Sequence, residues 1–376
     1  MRIPQMGRGV RRLRTYLSSL AGTFNPVREQ SAIRTLLTHL VVLAAFVVLS
    51  RMSSVFQMTE LRSTPWNPET GLAVAAGLLL GRPAILTLAA AIFISTKISG
   101  WPLPGIWEYV SAVLRALVFA GTASAMAPLL LRNAMPSLQT VLLFLGYSAA
   151  VTAGYAVVRL VLLWISIKIE PAYLLQYTLT LSVGNLIGIL TLVPLFMITD
   201  RSMGIVAYVK TWTAFQWVAL GGLVAVSFIV FGVKEIDEFK FFYLVFIPVI
   251  VFAVRDGYVA AAFSVFLSDV QMIGILYWRD FESSTATELQ LLMLSLSATG
   301  LLLGTAISDR SRAVEELKHS HLRLQESQNA LLHASRLSLA SEMAAALAHE
   351  LNQPLSSVRN FIRAVRRRLR RPRPRG

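Results

Sequence analysis

The amino-acid sequence predicts an all-α protein, a polytopic membrane helix bundle followed by a long charged helix or coiled coil. Three observations carry this prediction. Of the 376 residues, 55% are hydrophobic and 15% are charged, whereas soluble domains have about 45–50% apolar and about 25% charged residues. The mean hydropathy is +0.61. Finally, only 27 of the 35 basic and 20 acidic residues lie in residues 35–308, which make up most of the chain.

This composition excludes several classes of protein. The apolar fraction is too high for a disordered chain, and a soluble globular enzyme is not expected. The chain has no cysteine, so it has no disulfides, iron–sulfur clusters, thiolate zinc sites or cysteine nucleophile. The net charge of +15 does not indicate nucleic acid, because nine arginines are concentrated in residues 359–376 without a stripe of basic and aromatic residues. We therefore expect no nucleic-acid partner and no metal.

Several stretches reach the length of about 20 apolar residues that a membrane helix needs. The first, 35–56, begins too far from the N-terminus to be part of a cleavable signal peptide, so we expect it to be retained. Two others, 71–97 and 241–254, are interrupted or short. Together with the seven longer stretches, these two give a predicted total of eight to ten spans, because 71–97 can form two short helices or one re-entrant pair. The remaining candidates are 107–131, 138–167, 173–198, 212–232, 258–277 and 288–308.

The charges of the loops predict the orientation of the spans. The short loops at Arg132 and Arg201 are basic, whereas the loops 232–240 and 278–288 are neutral or acidic. Because lysine and arginine mark the cytoplasmic side, we expect both termini in the cytoplasm and an even number of spans. The basic segments then lie next to membrane lipid.

Some polar side chains lie inside the predicted spans, where a charge is costly and indicates function by default. A structural ion pair, or a long side chain that reaches the interface, is the simpler explanation for the arginines. Asp269 is too short to reach the interface. His39 is the only histidine of the membrane body, so we interpret it as a packing residue. The polar residues concerned are Arg115, Arg159, Asn185 and Asp269.

The chain changes character after Ser308, where a charged sequence runs without proline or glycine as far as Pro354. Leu317, Leu324 and Leu331 recur at intervals of seven, which predicts a coiled coil whose other core positions are mostly polar. A plain amphipathic helix is the alternative. Direct continuation from a membrane span favours a stiff signalling helix that forms a parallel dimer.

The residues best suited to carry chemistry form the sequence HELNQP, from His349 to Pro354. A histidine on an exposed helix face offers a nitrogen nucleophile near neutral pH. Glu350 can accept a proton from one ring nitrogen while the other attacks phosphorus. An isolated His-Glu pair is usually a solvated surface pair. The complete six-residue string at the end of a heptad segment is far more specific.

Residues 336–368 resemble the phosphoacceptor region, the H-box, of sensor histidine kinases with the sequence H-E-L-N-Q-P. The resemblance implies that His349 is the phosphorylated residue and Glu350 its acid–base partner. Gln353 occupies the position that threonine or asparagine often holds in kinases that dephosphorylate their partner. The resemblance also implies a homodimer, a response regulator as partner, and an ATP-binding kinase domain acting in trans. This chain itself then holds no cofactor, since ATP and Mg²⁺ bind to that domain.

The membrane body, residues 36–305, resembles the type-one membrane-associated sensor domain of bacterial signalling proteins. In one of the matching strings, the family's Trp-Pro-Pro is Trp66-Asn67-Pro68. This resemblance implies a multi-pass protein of the bacterial inner membrane that senses a stimulus. The matching strings are STPWNPETGLAVAAGLLLGRPAI (63–85), LSVGNLIGILTLVPLFM (181–197) and FIPVIVFAVRDGYVAAAFSVFLSD (246–269).

The end of the sequence lacks the motifs of an ATP-binding kinase domain, and we therefore expect a chain truncated before that domain. The predicted function is a membrane-bound sensor of a two-component phosphorelay, in which a stimulus controls His349. A non-catalytic membrane regulator and a transporter-like protein with a helical tail are the alternatives, and whether the chain is an enzyme stays open. The predicted domains are a basic arm (1–34), a membrane sensor domain (35–308), a coiled-coil signalling helix (309–340), an incomplete phosphoacceptor helix (341–368) and a basic tail (369–376).

Overall fold

A computed structural model describes most of the chain and shows ten α-helices, with no strand among the described residues. The predicted all-α helical bundle is therefore confirmed. The chain divides into two compact units, Met1–Arg310 and Ser311–Gly376. The described residues are 32–54, 64–99, 105–131, 136–167, 174–199, 209–210, 212–233, 241–279 and 286–369.

The described helices follow one another along the chain. A π-helical segment, Leu117–Gly121, joins α4 to α5, and a 3₁₀ turn, Phe242–Val245, precedes α9. The α-helices are α1 (Ala32–Ser54), α2 (Pro68–Leu80), α3 (Ala84–Ser99), α4 (Trp107–Ala116), α5 (Thr122–Leu130), α6 (Leu138–Ile167), α7 (Leu174–Thr199), α8 (Ala214–Gly232), α9 (Phe246–Arg279) and α10 (Ala286–Leu369).

Seven helical stretches of the described chain are long and apolar enough to cross a membrane, and α2 and α3 are shorter apolar helices. Large apolar side chains on the surface of these stretches, such as Trp164 and Val218, are 59% and 73% exposed. Burying this surface in lipid is favourable, whereas exposing it to water is not. The protein is therefore a multi-pass membrane protein.

Helix α9 folds back on itself at Gly257, whose φ of 71° and ψ of −146° are non-helical and suit glycine alone. Val249 and Val265 would lie about 24 Å apart along a straight helix. Yet a Cβ built on Gly300 would meet Val265 Cγ2 at 2.6 Å and Val249 Cγ1 at 3.1 Å. The two legs of α9 therefore lie side by side against α10. Counting the legs separately gives ten apolar segments, within the predicted eight to ten.

Helix α2 is the central helix of the bundle, and all its residues from Pro68 to Leu78 are buried. A helix that is apolar on every side belongs in the interior. Fully buried side chains of the surrounding helices, including Phe46, Leu88, Phe119 and Leu190, complete this core. The burial explains why α2 can be short, since it does not face lipid.

The N-terminus of α2 rests directly on α7. A Cβ added to Gly71 would overlap the carbonyl oxygen of Gly188, and one added to Gly188 would overlap that of Asn67. Gly184 and Gly188 are four residues apart, the small-residue spacing that lets membrane helices approach closely. The backbone N–H of Asn67 donates to the carbonyl of Gly184 at 3.1 Å. This contact places Glu69 and Thr70 inside the bundle.

Candidate functional site

The predicted phosphoacceptor residues lie within two turns of α10, and His349, Glu350 and Gln353 are all exposed. The side-chain nitrogen of Gln353 lies 3.2 Å from Nε2 of His349. An amide nitrogen only donates, so this ring nitrogen accepts the hydrogen bond. This contact fits the neutral tautomer that carries its proton on Nδ1.

The position of Glu350 relative to the imidazole ring of His349 differs from that of Gln353. Within the part of the chain that the structure describes, no hydrogen bond joins Glu350 to either ring nitrogen. Neighbouring residues on a helix do not face each other, whereas residues four apart do. Pro354, inside α10, has no N–H, so the backbone carbonyl of Glu350 loses its helical partner. The structure thus brings Gln353 to the ring and leaves Glu350 beside it.

A second apolar stripe follows His349 along α10, and it is not among the residues predicted above. Its residues alternate at intervals of four and three, the spacing of a coiled-coil seam. On this repeat, His349 and Gln353 lie on the opposite side of the helix. The stripe consists of Leu351, Leu355, Val358, Ile362 and Val365, all exposed in the single chain. The heptad spacing itself is the signal that would have identified them.

The heptad leucines are exposed as well. Leu317, Leu324 and Leu331 are 72%, 56% and 68% exposed in the single chain. Leucines on a solvated helix are unfavourable unless another surface covers them. Their pairing in a dimer remains a prediction.

In the membrane unit, Arg115 belongs to a buried polar network. Its Nη2 lies 3.1 Å from Oε1 of Glu69 and 2.9 Å from Oγ1 of Thr70. Thr70 in turn donates to Oδ1 of Asn185 at 2.8 Å. The network links α4, α2 and α7. For Arg115, the structural ion pair is therefore the correct explanation, with Glu69 as a partner that the sequence did not reveal.

Arg159 lies close to this network, beside a polar cavity of about 170 Å³. Its Nη1 donates to Oγ of Ser111 at 2.7 Å. Glu69, Arg115, Tyr155 and Tyr177 also line the cavity, together with several serine and threonine hydroxyls. The cavity lies at the end of the bundle where α1 and α3 end and where α2 and α7 begin.

Asp269 occupies a different buried position. Thr191 and Ser297 donate to its Oδ2 at 2.6 Å and 3.0 Å. Its Oδ1 has no hydrogen-bond partner within the described ranges. These three residues hold α7, α9 and α10 together. His39 is a hydrogen-bonded packing residue, since its Nδ1 lies 2.7 Å from Oγ1 of Thr87 on α3.

No group of three or more histidine, aspartate or glutamate side chains in the described segments is arranged to hold a metal ion. What the described chain offers is a multi-pass helical bundle with a polar interior cavity and an exposed histidine on its last helix. These features define a multi-pass helical membrane protein. Residues 37–311 match the MASE1 family, a membrane sensor domain found in signalling proteins, and the chain belongs to this family.

One curated relative is the sensor protein FixL of Bradyrhizobium diazoefficiens, which is 52% identical to this chain over 58 residues. The match covers 15% of this chain and 12% of FixL, so the chain corresponds to a small part of that relative. No solved structure matches the chain. The family identifies residues 37–311 as a membrane sensor domain.

Proposed function

We propose that this protein is a sensor of a two-component phosphorelay in the bacterial inner membrane, and that its membrane domain controls the phosphorylation of His349. The observation that carries the proposal is the placement of His349, exposed on α10, which also supplies Met293 and Leu296 to the buried core of the membrane unit. Membership of a membrane sensor family and the local identity with the sensor protein FixL support it.

The chemistry follows from the tautomer of His349. With the proton on Nδ1, the lone pair of Nε2 is the nucleophile. It attacks the γ-phosphorus of ATP, which an ATP-binding kinase domain holds in line together with Mg²⁺. The bond from the γ-phosphorus to the bridging oxygen breaks and ADP leaves. The carboxylate of Glu350 accepts the proton from Nδ1, and the phosphoryl group then passes to a response regulator.

The hydrogen bond from Gln353 has a role in this step. It occupies the lone pair that must attack, so Gln353 has to turn away before transfer. Gln353 therefore restrains the imidazole before transfer, and its removal should speed the reaction. The exposed leucine seams support a homodimer in which His349 faces outward, where a kinase domain and a response regulator can approach it.

The test uses the full chain in lipid nanodiscs, radiolabelled ATP and a separately purified ATP-binding domain of a sensor histidine kinase. We expect label on the chain only when the domain is present. His349→Gln should abolish the label, whereas His333→Gln, which removes another exposed histidine of α10, should keep it. No label on the wild type with the domain present, or label that survives in His349→Gln, would refute the assignment. Label without the domain would refute transfer in trans.

A further inference from the structure

The polar cavity of the membrane unit is lined by three charged side chains, Glu69, Arg115 and Arg159. Glu69 and Arg115 neutralise each other, since their side chains lie 3.1 Å apart. Among the residues that the structure describes, no carboxylate pairs with Arg159. Among the described residues, the cavity lining therefore includes one guanidinium without a carboxylate partner, inside an apolar bundle where a lone charge is costly.

Arg159 is well placed to hold an anion. Its guanidinium is a planar fork of five N–H donors that matches carboxylate and phosphate oxygens. Ser111 accepts from Nη1 at 2.7 Å, which fixes the side chain and leaves other donors available. The side chain is half-buried, and low-dielectric surroundings strengthen its attraction for an anion.

The rest of the wall can complete such a site. Hydroxyl groups donate to anionic oxygens and also accept. Five of those in the wall, on Ser53, Ser54, Thr64, Ser95 and Thr96, already donate to protein oxygens, so they offer a ligand their lone pairs and the other four can donate. Phe46, Ile92 and Leu181 supply an apolar wall. A cavity of about 170 Å³ is close to the ~150 Å³ that accommodates benzene elsewhere, so the ligand is small. The hydroxyl groups come from Ser50, Ser53, Ser54, Thr64, Ser95, Thr96, Ser111, Tyr155 and Tyr177.

We propose that this cavity binds a small anion that carries a carboxylate or phosphate group, with Arg159 as the anion contact and the surrounding hydroxyls as further ligands. The proposal goes beyond the proposed phosphorelay, because binding is measurable without phosphotransfer. With both termini in the cytoplasm, α1 ends on the extracytoplasmic side. The cavity then lies at that side of the membrane and is the site where an external stimulus acts.

The experiment measures thermal unfolding of the full chain in nanodiscs at constant ionic strength. The probes are succinate, inorganic phosphate and succinamide, a neutral compound of about the size of succinate. We expect succinate or phosphate to raise the unfolding temperature by about 2–4 °C, and succinamide to leave it unchanged. Response to succinate alone identifies a carboxylate site, and response to phosphate alone a phosphate site.

Matched variants decide whether Arg159 is responsible. Arg159→Gln should abolish the shift, and Arg159→Lys, which keeps the charge but loses the fork, should weaken it. Arg51 is an exposed arginine near the end of α1, and its side chain does not line the cavity. Arg51→Gln should therefore respond like the wild type. Tyr177→Phe, a milder change in the wall, should reduce the shift.

The proposal is overturned if neither anion shifts the wild type, or if succinamide stabilises it equally. It is also overturned if Arg159→Gln or, should that variant not fold, Arg159→Lys and Tyr177→Phe respond fully. None of these results involves His349, so the site and the phosphorelay fail or stand separately.

Discussion

Arg115 and Glu69 form an ion pair in the interior of the bundle, with 3.1 Å between Nη2 and Oε1. The Glu69 side chain is only 5% exposed and that of Arg115 is 19% exposed. The attraction within such a pair is largely offset by the free-energy cost of removing both charges from water. What the pair secures is the mutual placement of α2 and α4, because either charge alone is strongly unfavourable there.

Replacing one partner of this pair should destabilise the bundle strongly. We expect Arg115→Gln to lower the free energy of unfolding by about 3–5 kcal/mol, since it leaves Glu69 buried and unpaired. The double variant Glu69→Gln/Arg115→Gln should recover part of the loss. Thermal unfolding in nanodiscs measures both, with the exposed Arg82→Gln as control. Equal losses in the single and double variants would contradict the coupling.

The glycine contact between α2 and α7 should not tolerate a methyl group. Gly188→Ala puts a Cβ into the backbone of Asn67, so we expect a loss of about 1–3 kcal/mol or more. Gly146→Ala on α6 meets no atom within 4 Å and favours the helix, so it should be neutral or stabilising. Unfolding temperatures compare the two variants, and similar values would argue against the close packing of α2 on α7.

Both termini should be cytoplasmic. The chain has no cysteine, so single introduced cysteines report their own side of the membrane. An impermeant thiol reagent added to intact cells should label Ser283→Cys, between α9 and α10 in the sequence, and should not label Ser311→Cys. Lysed cells, in which both sites are accessible, provide the control. The opposite labelling pattern would reverse the orientation.

The heptad leucines should meet in a parallel dimer. Under mild oxidation in membranes, Leu324→Cys should form a disulfide with its twin in a second chain, whereas Glu326→Cys, two residues away on the helix, should not. Gln328→Leu replaces a polar core position and should strengthen the dimer. Non-reducing electrophoresis detects the crosslink. A crosslink at position 326 alone would exclude this seam.

Removing the amide of Gln353 should release the lone pair of His349. We expect Gln353→Ala to accelerate labelling by the added kinase domain by about two- to fivefold, because one exposed hydrogen bond contributes about 1 kcal/mol at most. Ser357→Ala, one turn further along α10, is the matched control. Initial rates of label incorporation give the comparison. Slower labelling of Gln353→Ala would mean that Gln353 promotes transfer by holding the reactive tautomer, and that its hydrogen bond to the lone pair does not slow the reaction.

The sequence alone predicts the long helices because hydropathy depends on local composition, and contact with lipid requires an apolar composition. It also separates the two legs of α9, since Arg255 and Asp256 interrupt an apolar run just before Gly257. The contact between His349 and Gln353 follows from helical spacing of four residues. These features share one property, which is that they involve residues close in sequence.

The polar interior was not predictable in the same way. Arg115 is conspicuous in its predicted span, but Glu69 lies just before the predicted stretch 71–97, and 45 residues lie between them. Which carboxylate meets which arginine depends on the packing of α2 against its neighbours, and that packing depends on Gly71 and Gly188. Asp269 was recognised as unusual, yet its partners Thr191 and Ser297 are ordinary residues of other helices.

The glycine contact between α2 and α7 also constrains how proteins with this architecture can diverge. Where two backbones touch, there is no room for a larger side chain. Larger residues are therefore not tolerated at the contact between α2 and the adjoining part of α7. Most of the other residues that line the cavity come from α1, α3, α4 and α6, which take no part in this backbone contact. Changes of recognition among related chains should therefore accumulate on those four helices, around an invariant pair of glycines.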